Sequence, residues 1–142
     1  VKQYEIEPSL IGLEIKESAL FEDGDTVKKR INELRGGGFR VCMDDFGSGY
    51  TSITDLANLP VDMIKFAIPF VHNCIGSKKG TTMLKGLIGI FHKIDIPCVC
   101  KGIENMLQER LVRECGCQMS QGDVLEAAMD IEKFEKRFIY KE

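Results

Sequence analysis

The stretch Val41-Cys42-Met43-Asp44-Asp45-Phe46-Gly47-Ser48-Gly49-Tyr50 decides how this chain is read. Val41 to Met43 is a short apolar run of the kind that forms a buried strand, and it ends on two adjacent carboxylates and a glycine-rich turn. Adjacent carboxylates repel, so an ordinary core does not place them side by side. A divalent cation or a developing positive charge offsets the repulsion. Hard cations such as magnesium take oxygen ligands, and ligands gather at strand ends in parallel α/β barrels. Asp and Gly are also common at solvated strand-to-turn junctions. This stretch alone supports either origin.

Outward from it, strands and helices alternate. Leu10 to Lys16 reads as a strand, and Asp25 is positioned to cap a helix with Val27, Ile31 and Leu34 on one face. Gly36-Gly37-Gly38 ends that helix, and Phe39 to Met43 is the next strand. Ser52 to Leu59 is expected to form a short helix closed by Pro60, before a strand from Val61 to Ala67. Thr81 to Lys93 is a long apolar-striped helix, and Pro97 to Gly102 a strand. Asn105 caps a helix through Arg113, stopped near Gly116, and Cys117 to Gln121 is a brief strand. Asp130 caps a final helix carrying Phe134, Phe138 and Ile139 on its apolar side.

About five such alternations predict an α/β fold of parallel strands joined by crossovers. A doubly wound sheet or part of a (β/α)8 barrel satisfies the pattern. No G-x-G-x-x-G follows a strand, so a dinucleotide fold gains no support. The Asp-Phe-Gly triplet is not that of a protein kinase, because the glycine-rich phosphate loop, H-R-D and A-P-E are all missing.

The 142 residues, 44% hydrophobic and 29% charged, suit one globular domain. A net charge of -3 gives no basic footprint, so DNA is not an expected partner. No apolar run reaches the roughly 18 residues of a membrane span, and no signal peptide is visible. Val1 to Ile6 reads like mid-domain sequence, so a piece of a longer protein is expected. Of the six cysteines, Cys98/Cys100 and Cys115/Cys117 form C-x-C pairs, tighter than the usual zinc spacing. Cys42, Cys98 and Cys100 lie in apolar runs, where a free thiol behaves as a small hydrophobe. Buried free thiols and a reducing, cytoplasmic setting are expected.

The polar residues fall at strand ends. Glu14 and Glu17 close the first strand, Asp44 and Asp45 the second, and Lys65 the third; Lys101 and Glu104 lie near the end of the fourth, and Gln121 ends the fifth. In a parallel barrel these ends share one face, and catalytic groups come from several of them. Each residue also has an ordinary explanation: a turn cap for Glu17, a snorkelling stem for Lys65, a solvated loop amide for Gln121.

These residues resemble the EAL domain family, the cyclic di-GMP phosphodiesterases of bacteria. The resemblance runs through Leu13-Glu14-Ile15-Lys16-Glu17-Ser18, Asp44 to Ser52, Leu59-Pro60-Val61-Asp62, Lys65, Gly102-Ile103-Glu104, Gly116-Cys117 and Gln121-Gly122. It covers essentially all of residues 1–142 but only the C-terminal portion of the family domain. It therefore implies a partial (β/α)8 TIM-type barrel of about five strands, with the N-terminal strands missing. In active relatives Glu14, Asp44 and Asp45 would bind magnesium or manganese, which activates water and clamps the phosphate. Lys65 would lie near the attacking water, and Gln121 would support the metal-bound water or substrate. Glu17 would hold the loop after Phe46, with Glu104 supporting its own loop.

The chain departs from the family pattern at the metal site. The Glu-Ala-Leu signature and a downstream Asn ligand are absent. Lys101 stands where a ligand glutamate opens the family's Glu-Gly-Val-Glu element, Ala67 replaces an Asp, and Lys16 a Thr. After Gln121-Gly122 the family's Tyr-x-Phe-x-x-Pro is replaced by Asp123-Val124-Leu125-Glu126-Ala127-Ala128. Two arrangements fit the change at 101. Its ammonium takes the metal's place and neutralises Glu14 and Asp44, or it is solvated in a loop. The expectation is a degenerate EAL-type domain without bound metal, acting by protein contact or by binding cyclic di-GMP. It would associate as a homo-oligomer or with other domains of a parent protein. The alternative is part of an active phosphodiesterase whose N-terminal half is absent.

Overall fold

The computed structural model describes residues 1–49 and 58–140, so the helix expected from Ser52 to Leu59 lies almost wholly outside the described residues. Five strands form one sheet: β1 (Gly12–Lys16), β2 (Arg40–Phe46), β3 (Met63–Phe66), β4 (Cys98–Lys101) and β5 (Met119–Gln121). Every neighbouring pair is parallel, and the order across the sheet is the order along the chain. A doubly wound sheet reverses its order at a switch point. Sequential winding is that of a barrel wall, and β1 and β5 do not meet. The fold is the partial α/β barrel expected from the sequence.

Helices α1 (Ala19–Gly36), α2 (Ile68–Ile75), α3 (Lys78–Lys93) and α4 (Met106–Glu114) connect the strands, and α5 (Ile131–Phe134) runs into a π turn, Glu135–Ile139. Capping sets most of the starts. Asn105 accepts from Gln108 N at 3.0 Å and Asp130 from Lys133 N at 2.9 Å, as the sequence suggested. The expected cap at Asp25 is corrected. The helix begins at Ala19, breaks at Asp23 (φ -157, ψ 79), and resumes where the Asp23 carboxylate accepts from Thr26 N at 3.1 Å. Asp23 lies three residues before its donor, the capping distance, whereas Asp25 lies beside it. Likewise α3 starts three residues before Thr81, because Ser77 Oγ accepts from Gly80 N at 3.0 Å. The sequence reading passed over α2, whose signal was Pro69 in the first helical turn.

The core lies between sheet and helices. Phe46 meets Phe66 and Phe91 edge-on, with centroids 5.7 and 5.6 Å apart, and Phe66 stacks on Phe70 at 5.5 Å. Such pairs contribute about 0.5–1.5 kcal/mol each beyond simple burial. All six cysteines are buried free thiols. Burial pushes Cys98 up to about 12 and Cys42 up to about 11, so both stay protonated at neutral pH.

Candidate functional site at the strand ends

The site begins with an irregularity in β2. Adjacent residues of a regular strand face opposite sides of the sheet. Between Met43 and Phe46 the pairing with β3 shifts register, and Asp45 adopts a left-handed backbone, φ +56. This break lets both carboxylates reach one cation. Lys101, ending β4, places Nζ 2.7 Å from Asp44 Oδ1 and 2.8 Å from Asp45 Oδ1. The turn that follows needs Gly47: its φ is +90, and a Cβ there would lie 2.7 Å from the Phe70 ring.

The Lys101 side chain is 14% exposed and that of Asp44 13%. Burial works to raise the Asp44 carboxyl, but the Lys101 ammonium and the Asp45 backbone outweigh it and hold it below the usual carboxylate range. Burial likewise works to lower Lys101, but its hydrogen bonds to Asp44 and Asp45 hold it above the usual lysine value. Both shifts favour the charged pair.

Lys65, on β3, gives Nζ to Glu14 Oε1 of β1 at 2.7 Å. Glu14 is therefore not a partner of Lys101, which corrects the expected Glu14–Lys101–Asp44 arrangement. The physical reason is sheet order: β3 stands nearer to β1 than β4 does, and its own lysine takes the glutamate. Glu17 is buried; it accepts from Ser48 N at 2.8 Å and from Ser48 Oγ at 2.7 Å, and its N–H donates to Asp44 O at 2.9 Å. It ties the turn after β1 to the turn after β2.

Gln121 pairs in register with Lys101, and its carbonyl accepts from Ile103 N at 3.1 Å. Gly122 packs so closely on the Ile103 backbone that no side chain fits there. Glu104 is exposed, its N–H donating to Gln108 Oε1 at 2.7 Å, and it makes no ion pair with either lysine. Lys101, Glu104 and Gln121 line a cavity of about 790 Å³ over the ends of β4 and β5. Phe134 and Phe138 from the C-terminal segment also line it. The sequence places both rings on the apolar side of a helix, and nothing in their spacing marks them as cavity-lining.

A divalent ion does not fit this donor arrangement. The Lys101 ammonium occupies the point where the Asp44 and Asp45 oxygens converge. Among the described residues no three His, Cys, Asp or Glu side chains gather so as to hold a metal. A dication near that ammonium would be repelled by on the order of 4 kcal/mol per unit charge pair, at about 4 Å and an effective dielectric of about 20.

Comparison with known proteins agrees with this architecture. The chain is 35% identical over 117 residues, 82% of its length, to a signalling protein of Caulobacter vibrioides, of which it spans 14%. It is 32% identical over 134 residues, 94% of its length, to the cyclic di-GMP phosphodiesterase PA2567 of Pseudomonas aeruginosa, of which it spans 23%. In fold it matches the MucR phosphodiesterase solved with cyclic di-GMP, with a TM-score of 0.84 and 26% identity over 94% of this chain and 54% of that one. It also shares its fold, at a TM-score of 0.79 and 22% identity, with Klebsiella pneumoniae BlrP1, solved with manganese and cyclic di-GMP; the match covers 86% of this chain and 31% of that one. The family model described as the EAL domain matches residues 1–128, and the chain belongs to the EAL domain family.

Proposed function

We propose that residues 1–142 are the C-terminal portion of a degenerate EAL-type barrel that binds cyclic di-GMP in a signalling protein and does not hydrolyse it. The observation that carries this reading is the Lys101 ammonium between Asp44 and Asp45, at 2.7 and 2.8 Å. A cation fixed to the protein there neutralises the carboxylates but supplies no open coordination position to activate water. The adjoining cavity of about 790 Å³ is of ligand size and lined by apolar and aromatic groups with a few polar ones, which supports ligand binding over protein contact alone. Lys65 and Gln121 would then act as ligand-orienting groups rather than catalytic ones.

A second reading, part of a metal-dependent phosphodiesterase, is favoured by the retention of Glu14, Asp44, Asp45, Lys65 and Gln121 at the strand ends. The open outer strands β1 and β5 support association with a second copy or with other domains of a parent protein, since unpaired ladder groups invite pairing. No helix among the described residues is long and apolar enough to cross a membrane; a cytoplasmic setting belongs to the proposal.

Calorimetric titration of the chain with cyclic di-GMP, with and without magnesium, separates these readings. Metal-independent binding supports the receptor. Binding only with magnesium supports the enzyme reading. Absence of binding in both conditions contradicts both and leaves protein contact.

A further inference from the structure

We infer that the segment from Met129 to Tyr140 builds a base-stacking wall onto the strand-end cavity, with Phe134 and Phe138 taking a planar base and Asp123 selecting guanine over adenine. The inference rests on the nucleotide-binding reading above and adds residues that lie beyond the family-model match, which ends at residue 128.

The segment reaches the site through a defined set of contacts. Asp130 caps α5, and Arg137 Nη2 lies 2.6 Å from Glu126 Oε2, pinning the π turn to the loop that follows β5. The Arg137 guanidinium also lies 5.7 Å from the Phe138 ring centroid. Held in this way, Phe134 and Phe138 stand 5.1 Å apart with their planes tilted by 40°. Both rings are about half exposed, at 47% and 48%, and both line the cavity that Lys101 and Gln121 also line. Half-exposed rings on a cavity wall cost hydration free energy that stacking a flat ligand recovers. Phe134 and Phe138 are the aromatic residues among those lining the cavity.

The polar lining points to one kind of base. Of the three carboxylates on the cavity, Glu126 is taken by Arg137. Asp123 and Glu104 have no ion-pair partner among the described residues. An ionised carboxylate only accepts hydrogen bonds. The guanine edge offers two adjacent N–H donors to it, whereas adenine sets a ring-nitrogen lone pair against it. Asp123 lies just past the end of β5 and lines the cavity, beside the strand-end Gln121.

The chain contains no tryptophan, so a single Phe134→Trp substitution gives a clean fluorescence reporter on the wall. The probes are cyclic di-GMP and cyclic di-AMP. The unaltered chain is expected to bind cyclic di-GMP more tightly than cyclic di-AMP, and cyclic di-GMP is expected to quench the indole fluorescence of the Phe134→Trp variant. Phe134→Ala and Phe138→Ala are each expected to weaken binding by about 5- to 100-fold, the usual range for one base–aromatic stack. Phe138→Tyr should retain affinity, and Asp123→Asn should narrow the preference between the two nucleotides. If cyclic di-GMP binds but neither alanine variant weakens it and the reporter is silent, the wall is overturned while nucleotide binding stands. If neither nucleotide binds the unaltered chain, both fall together.

Discussion

Lys101 at the end of β4 reaches past β3 to Asp44 at the end of β2, Nζ to Oδ1 at 2.7 Å, and takes Asp45 with the same ammonium. On the proposed reading, this lysine stands where a metal-ligating carboxylate would otherwise be expected. The charge balance of the site is therefore internal to the protein: Lys101 answers the aspartates, and Lys65 answers Glu14.

Removing the ammonium strands two carboxylates side by side. Lys101→Met is expected to destabilise the chain by about 1–3 kcal/mol at neutral pH, below the full cost of breaking a deeply buried pair because water reaches Asp45. Urea unfolding of the two proteins checks this. Equal midpoints would show that the pair contributes nothing net.

The pH dependence of that difference follows from the two shifts. Asp44 has a lowered pKa in the folded state, so its contribution is present above the unfolded value of about 3.9 and is lost as pH falls through the folded value. Lys101 has a raised one, so its contribution is present below about 10.4 and is lost as pH rises through the folded value. The gap between the unaltered chain and Lys101→Met should hold between about pH 4 and pH 10 and close outside that window. Unfolding curves across that range test it; a gap that persists in acid would assign the loss to the lysine stem's packing instead.

A carboxylate at position 101 should let the site take up a divalent ion. Lys101→Glu is expected to be destabilised without metal and to gain several degrees of melting temperature in millimolar magnesium, while the unaltered chain gains none. Thermal melts with and without magnesium read this directly. An unchanged melt for the variant would show that the surrounding donors do not suffice.

Glu17 is buried and accepts from both the N–H and the hydroxyl of Ser48. Glu17→Ala leaves those two donors without this acceptor and is expected to cost about 1–3 kcal/mol, with Glu17→Gln, which keeps a carbonyl, costing less. Denaturant titration of both variants checks the order. Equal losses would mean that the negative charge, not the acceptor geometry, matters.

The alternation of strands and helices was legible because apolar runs, caps and glycine stops are local signals, as at Asn105 and Gly37. Barrel winding rather than double winding was legible only through the family resemblance, because strand order is a long-range property that spacing does not encode. The position of Asp23 rather than Asp25 was ambiguous because two capping residues lie two apart. At the site, the residues at the strand ends could be picked out, but their pairing could not. Which carboxylates Lys101 reaches depends on the left-handed turn at Asp45, a backbone event no pattern of residue types announces. Phe134 and Phe138 looked like core residues because an apolar stripe has the same spacing whether it faces a core or a cavity.

Titration of the unaltered chain with manganese, followed by the electron paramagnetic resonance signal of the free ion, tests the ammonium-for-metal exchange most directly. The signal should rise in proportion to added manganese, with no ion held at the Asp44–Asp45 pair. Stoichiometric loss of the free-ion signal, abolished by Asp44→Asn, would show that Lys101 yields to a metal and that the site is a working ion centre.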